Sequence, residues 1–334
     1  MSTDALSPAA AQVPADASAT ARAEPPAPLP NRVARLLGVR IPIVQAPMTF
    51  IAGATLAAAV SNAGALGIIE TTSPQGRADL KRVRDLTDRP VGANVALAMR
   101  KDPSVIDLLV EAGVSTVLTS AGDPTVLTGR LHDAGLTVFH VVGSLRNALK
   151  AADAGVDGLV VEGVEGGGFK SARAASTLVL LPLVASRVSL PIISAGGICD
   201  GPSMAAAIVL GAEGVQMGTR MLASRESPLH DNVKNAVVGA DETGTVMISV
   251  PGLPTMRVLR TPAAERVLAT GRPEVGLDGI PALYFDGDLT ASLANTGQVA
   301  GRIERVEPVA DIVHETWTGC RQILAAAGAR ANGW

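Results

Sequence analysis

The segments Ile192-Ile193-Ser194-Ala195-Gly196-Gly197 and Gly214-Val215-Gln216-Met217-Gly218-Thr219 share one design, a short and mostly apolar run that ends abruptly in glycine. Neither run alternates regularly between apolar and polar residues, as expected for parallel strands covered on both faces. Working outward from this pair, similar runs begin near Ile43, Leu66, Val91, Thr116, Thr137 and Leu159. With those at Ile192 and Val215 they make eight, spaced 21 to 33 residues apart. Each interval holds one helix and two loops. This rhythm predicts an α/β fold, a (βα)8 TIM barrel, with its chemistry at the carboxyl ends of the strands.

The predicted strands are Ile41–Gln45, Leu66–Ile69, Val91–Val95, Ser115–Thr119, Thr137–Val142, Leu159–Glu162, Ile192–Ala195 and Gly214–Met217. Helix starts are marked by Thr55, Asp102-Pro103, Asp123-Pro124, Ser144 and Asp200 with Pro202, where a side-chain oxygen accepts from free N–H groups or a proline occupies the first turn. Further helices are expected over about 76–86 and 177–188. The sequence therefore divides into an Ala/Pro-rich tail over 1–30, a barrel over 31–225, a lid or small second lobe over 226–305, and a closing helix within 306–334. The tail's apolar content is mainly alanine, too little to offset the entropy of ordering, and it is expected to be disordered. Residues 228–300, with Pro251, Pro254, Pro262, Pro273 and Pro281 scattered through them, read as irregular.

Composition excludes several functions. The chain has 334 residues, net charge −3 and 2% aromatic residues, so neither a basic stripe nor a stacking platform for nucleic acid is expected. The longest strict apolar run, Leu178–Ala185, is far short of a membrane span. Cys199 and Cys320 lack CxxC partners and fit a reduced, cytoplasmic setting. Four scattered histidines without HxxxH spacing argue against a metal site. The expected partner is a small-molecule substrate, and the chain is a candidate homodimer.

Three glycine-rich turns follow the last three runs: Gly166-Gly167-Gly168, Gly196-Gly197 and Gly218-Thr219. Glycine lets a ligand oxygen approach backbone N–H groups, and barrels often bind phosphate beside strands seven and eight. Tight turns alone are the alternative.

These turns also carry a family resemblance. The segments Pro42–Met48, Asn62–Gly67, Val164–Gly168, Ser194–Ile198 and Val215–Arg220 resemble the nitronate monooxygenase (2-nitropropane dioxygenase) family, and Gly297–Gly301 is similar to its lid region. That family also holds flavin-dependent enoyl-ACP reductases and NADH:quinone reductases. The resemblance implies FMN on the barrel's C-terminal face. Ala46, Pro47 and Met48 would flank the ring system, and Asn94 would bond its polar edge. Ser120 and Glu162 would line the middle, and Ser194, in the motif that closes the seventh run, would also bind the cofactor. Gly167, Gly168, Gly196, Gly197, Gly218 and Thr219 would hold the phosphate. Gln216 would face the flavin or the barrel interior.

One departure stands out. Where the family usually reads Gly-Gly-His, this chain has Phe169 followed by Lys170. Phenylalanine cannot move the proton that the family's histidine handles. His140, at the end of the fifth run, is a substitute acid by its ordinary pKa or a packed core histidine. Lys170 would meet a phosphate, a carboxylate substrate or solvent. Arg257 and Arg260 would meet an anionic ligand or solvent, and Cys199 reads as core filler. The leading expectation is an FMN-dependent oxidoreductase of the nitronate monooxygenase type, oxidising a nitronate or related small substrate with O2. A nitronate is already an anion and needs no proton abstraction. The alternatives are an NAD(P)H-dependent flavin reductase of an enoyl thioester or quinone, and a catalytically silent FMN-binding protein.

Overall fold

The computed structural model describes residues 31–99, 104–171 and 173–331. The tail expected over 1–30 and the helix start expected at Asp102-Pro103 lie outside the described residues. The strands are β1 (Ile43–Gln45), β2 (Gly67–Glu70), β3 (Val91–Ala96), β4 (Thr116–Ser120), β5 (Thr137–Val142), β6 (Gly158–Glu162), β7 (Gly168–Phe169), β8 (Ile192–Ala195), β9 (Gly214–Met217), β10 (Thr245–Ile248) and β11 (Met256–Leu259). The helices are α1 (Arg32–Leu37), α2 (Ala54–Asn62), α3 (Pro74–Arg82), α4 (Ser104–Glu111), α5 (Thr128–Asp133), α6 (Leu145–Asp153) and α7 (Thr177–Ala185). They continue with α8 (Gly201–Val209), α9 (Thr219–Leu222), α10 (Asp231–Val238), α11 (Pro262–Thr270), α12 (Ile280–Phe285) and α13 (Val309–Ala331).

Eight parallel strands pair in the order β1-β9-β8-β6-β5-β4-β3-β2, and a bridge from Val44 to Leu66 joins β1 to β2. This is the TIM barrel expected from the eight runs, with strand ends within two residues of expectation. Val44, Leu66, Ile68, Leu118, Phe139, Val160 and Ile193 fill its interior. Helix α1 adds Val33, Ala34 and Leu37 to the same cluster and closes the amino end. With that end plugged, a ligand has access from the carboxyl end.

Local signals mostly act as the sequence predicts. Asp200 caps α8 by accepting from the Ser203 amide at 2.9 Å, while the Ser203 hydroxyl accepts from the Asp200 amide at 3.1 Å. Two starts differ. The cap of α2 is Gly53 rather than Thr55, and Asp123-Pro124 opens a single 3-10 turn before α5.

The stretch expected to be irregular contains regular structure. It folds as α10, the β10–β11 hairpin, α11 and α12, because Val246, Met247 and Ile248 pair with Val258, Arg257 and Met256. Ile248, Met256, Val258, Ala263, Ala264, Val267, Val275 and Leu293 form a separate core. At ~1.5–3 kcal/mol for each fully buried aliphatic side chain, this is a packed lobe rather than a loose loop. Its third strand comes from the barrel. β7, in the turn after β6, pairs antiparallel with β11, and the Lys170 amide donates to Thr255 O at 2.8 Å. The glycine-rich turn is thus a strand of the lid.

Candidate active site

At the carboxyl end of the barrel lies a cavity of about 430 Å³. Barrel loops supply Ala46, Pro47, Met48, Asn94, Ser120, Glu162, Gly167, Gly168, Phe169, Lys170, Gly196, Gly197, Gln216, Gly218 and Thr219. All of these were singled out in the sequence. The lobe contributes Ile280, Tyr284, Asn295, Gly297 and Val299.

Two of the expected site residues, His140 and Ser194, are not among the lining residues. Side chains alternate across a strand. Phe139 and Val141 belong to the interior cluster, so His140 between them faces the helical layer. Its Nδ1 lies 2.7 Å from Thr119 Oγ1, and burial lowers its pKa to about 4. The ring is therefore neutral at pH 7 and away from the cavity, which removes it as the substitute acid. Val141 takes the cavity position. Ser194 sits between the inward Ile193 and Ala195, and its buried hydroxyl has no hydrogen-bond partner.

Three loops converge at the glycines. A Cβ on Gly167 would lie 2.8 Å from the Gly297 nitrogen, and the Gly297 amide donates to Thr219 Oγ1 at 2.8 Å. Only a bare backbone allows that approach. Gly197 has φ +81°, a region that penalises a side chain. Gly297 belongs to this junction, although the sequence pointed to it only as part of a lid motif.

Around this junction, polar groups are fixed by the fold. Asn94 donates from Nδ2 to Leu118 O at 2.7 Å and to Ser120 Oγ at 3.1 Å, so its carbonyl oxygen remains to accept. Gln216 is buried, and its Oε1 has no protein partner. An unpaired buried amide group beside a cavity favours an occupant that satisfies it.

Lys170 lines the cavity, but its ammonium is turned toward the protein. Its Nζ donates to Glu162 Oε1 at 2.9 Å, Gly167 O at 2.9 Å and Phe169 O at 3.1 Å. All three ammonium hydrogens are accounted for. The residue is a clasp that ties the end of β6 to the turn carrying the glycines and to β7. Phe169, half-exposed, remains at the cavity edge.

Glu165 and Tyr284 line the cavity, whereas Arg257, Arg260 and Cys199 do not. Glu165 accepts from the amide and hydroxyl of Thr177 at the start of α7. The buried Tyr284 hydroxyl is pushed up to about 12 by desolvation. Arg257 donates to Val164 O and Thr245 Oγ1, and Arg260 pairs with Glu265, so neither reaches the cavity. Burial raises the Cys199 thiol to about 11, consistent with core filler.

A second clamp escaped the sequence reading. The buried carboxylate of Glu70 accepts from the amides of Phe50, Thr72 and Ser73 and from the Ser73 hydroxyl. It thereby joins the loops after β1 and β2. Phe50 and Thr72 both line the cavity, and Phe50 has the uncommon φ of +67° for a residue with a side chain. A glutamate at a strand end carries no signal that distinguishes such a clamp from a surface carboxylate.

A cavity of this build on a plugged eight-stranded barrel is that of a TIM-barrel enzyme. A family model described as "Nitronate monooxygenase" matches residues 31–107 and 98–318. The nitronate monooxygenase of Pseudomonas aeruginosa is 32% identical over 266 residues, covering 65% of this chain and 76% of that protein. A (3aS,4S,5R,7aS)-5-hydroxy-7a-methyl-1-oxo-octahydro-1H-indene-4-carboxyl-CoA dehydrogenase of Rhodococcus jostii is 37% identical over 238 residues, covering 70% of this chain and 66% of that protein. Among solved structures, FabK from Thermotoga maritima superposes with a TM-score of 0.83 at 34% identity, covering 90% of this chain and 99% of that one. The chain belongs to the nitronate monooxygenase family, and it is an oxidoreductase.

Proposed function

We propose that the cavity holds FMN and that the enzyme oxidises a nitronate or a similar small, stabilised anion with O2. The observation that carries this reading is the convergence of Gly167, Gly197, Gly218 and Thr219 from the turns after β6, β8 and β9, joined by Gly297 of the lobe. Close backbone approach at these positions suits a phosphate group. The unpaired Gln216 carbonyl and the free carbonyl of Asn94 are acceptors suited to the N–H of a flavin ring. When bound, FMN supplies electron transfer and the reaction with oxygen. The chain's own residues bind and orient. Asn94 is held by Leu118 and Ser120, Glu70 fixes the loop beside the cavity, and the lobe covers the site.

The substrate class follows from what Phe169 cannot do. No imidazole lines the cavity among the described residues, and one oxygen of Glu162 is tied to Lys170. A substrate that arrives as an anion needs no base.

A second reading, NAD(P)H-dependent reduction of an enoyl thioester or quinone at the same cofactor, is favoured by the apolar mouth. Phe169 and Met99 are about half exposed there, a surface suited to a larger apolar substrate. The relative from Rhodococcus jostii is named for a carboxyl-CoA substrate. The two unpaired thiols are compatible with a cytoplasmic setting.

One experiment separates the readings. The purified protein should be yellow, and anaerobic mixing with ethylnitronate should bleach it while NADH and NADPH leave it oxidised. Rapid bleaching by a nicotinamide alone would favour the reductase. A bound flavin that responds to neither would leave only the silent binding protein.

A further inference from the structure

The lobe brings two polar side chains to the cavity wall, Tyr284 and Asn295. Tyr284 follows Ile280 by one turn of α12, so both lie on the face of that helix that meets the cavity. Asn295 lies on an extended stretch that pairs antiparallel with β11 at Val258, where the Leu259 amide donates to Ala294 O at 2.8 Å. Its neighbours Ala294 and Thr296 are buried, and alternation turns the Asn295 side chain the other way, toward the cavity. The two residues are tied together, because the Asn295 backbone amide donates to the Tyr284 hydroxyl oxygen. The tie holds the hydroxyl close to the Asn295 carboxamide.

Both side chains still have hydrogens to give. Burial pushes the Tyr284 hydroxyl up to about 12, so it keeps its proton. With its oxygen accepting from Asn295, that proton has no acceptor among the described residues. The Asn295 carboxamide has no protein partner at either end among the described residues, and its Oδ1 is buried. Lys170 and Glu162, by contrast, hold each other, and Glu165 is held by Thr177. Polar groups withdrawn from water are nearly always paired, so this carboxamide calls for an occupant of the cavity. It also lies against Gly168, with Nδ2 3.9 Å from where a Cβ would stand, one residue before Phe169. That is beside the position where the family's proton-handling histidine is replaced. We propose that Tyr284 and Asn295 form an oxyanion clamp on the lobe, which binds the two oxygens of the substrate's anionic head group. The proposal rests on the reading that the substrate arrives as a stabilised anion. A nitronate spreads its charge over two oxygens on one nitrogen, and a phenolic O–H beside an amide N–H2 supplies a donor for each. Two neutral donors hold that charge without moving a proton.

Calorimetric titration of the full-length holoenzyme with propionate, an unreactive mimic of ethylnitronate in shape and charge, tests the clamp without relying on turnover. Tyr284→Phe should weaken propionate binding about tenfold or more, the scale of one hydrogen bond to a charged group. Asn295→Asp should abolish it, because a like charge then faces the ligand. In stopped-flow bleaching by ethylnitronate, the half-saturating concentration should rise in the same order, while FMN affinity and melting temperature stay as in the parent. Propionate that binds parent and variants alike, or that fails to bind the parent, would overturn the clamp. A loss of FMN affinity that matches the loss of propionate would assign the pair to the cofactor and overturn it equally. Propionate binding that depends on both residues, in a protein that ethylnitronate does not bleach, would uphold the clamp and reject only the nitronate-oxidising reading.

Discussion

The ends of β5 and β6 are neighbours in the sheet, yet they treat their ionisable residues in opposite ways. On β5, His140 points into the helical layer, bonded to Thr119, and Val141 meets the cavity. On β6, Glu162 meets the cavity and is held there by Lys170. One residue of register separates a buried, neutral imidazole from a carboxylate on the cavity wall. Proximity to a strand's carboxyl end does not make a residue part of the site; the parity of the strand does.

The largest expected effect lies on the β6 side. Gly167→Val pushes a branched side chain into the Gly297 backbone and should strip the cofactor, lowering FMN affinity at least 100-fold by fluorescence titration while the far-ultraviolet dichroism stays native. Unchanged affinity would show that the turn after β6 is not part of the cradle.

Phe169→His restores a proton carrier at the cavity edge. Turnover of neutral nitroethane should rise by roughly tenfold or more, within the usual range for general acid–base catalysis, while ethylnitronate turnover changes less than twofold. An equal change for both substrates would place Phe169 outside proton transfer.

Lys170→Met removes the clasp. Breaking a partly buried ion pair leaves Glu162 uncompensated, and about 1–2 kcal/mol of unfolding free energy should be lost, discounted from the fully buried case because Glu162 is a quarter exposed. Adding Glu162→Gln should return part of it. A loss from Lys170→Met that the second substitution only deepens would contradict the pairing.

The smallest effect on activity is expected on the β5 side. His140→Gln should leave turnover within twofold. It should instead change how stability depends on pH. The folded chain holds His140 near pKa 4 while the unfolded chain titrates it near 6.5. Between those values the unfolded state binds the extra proton, so acid weakens the fold, and that part reaches roughly 3 kcal/mol at the lower end. Urea midpoints of the variant should fall less between pH 6.5 and 4 than those of the parent. A parallel fall would mean that His140 is not desolvated.

The barrel was legible because its strands are buried on both faces and its turns are punctuated by glycine, both one-dimensional signals. The glycine turns and Asn94 could be assigned to the site for the same reason. His140 and Ser194 could not be excluded, because parity depends on which residue of a short apolar run faces inward, and an apolar run does not declare it. A lid or small second lobe was legible over 226–305, but its hairpin was hidden by scattered prolines, and its third strand, β7, lies far away in the chain. The Glu70 and Lys170 clamps depend on the same long-range meeting of loops. Phe169 was visible as a departure from the family pattern, but its strand role in the lid was not.

The central claim is that the turns after β6, β8 and β9 grip a phosphate. Titrating cofactor-free protein with FMN and with riboflavin, which differ only in that group, tests it most directly. Affinity for FMN at least 100-fold above that for riboflavin is predicted; equal affinity, or no binding of either, would contradict it.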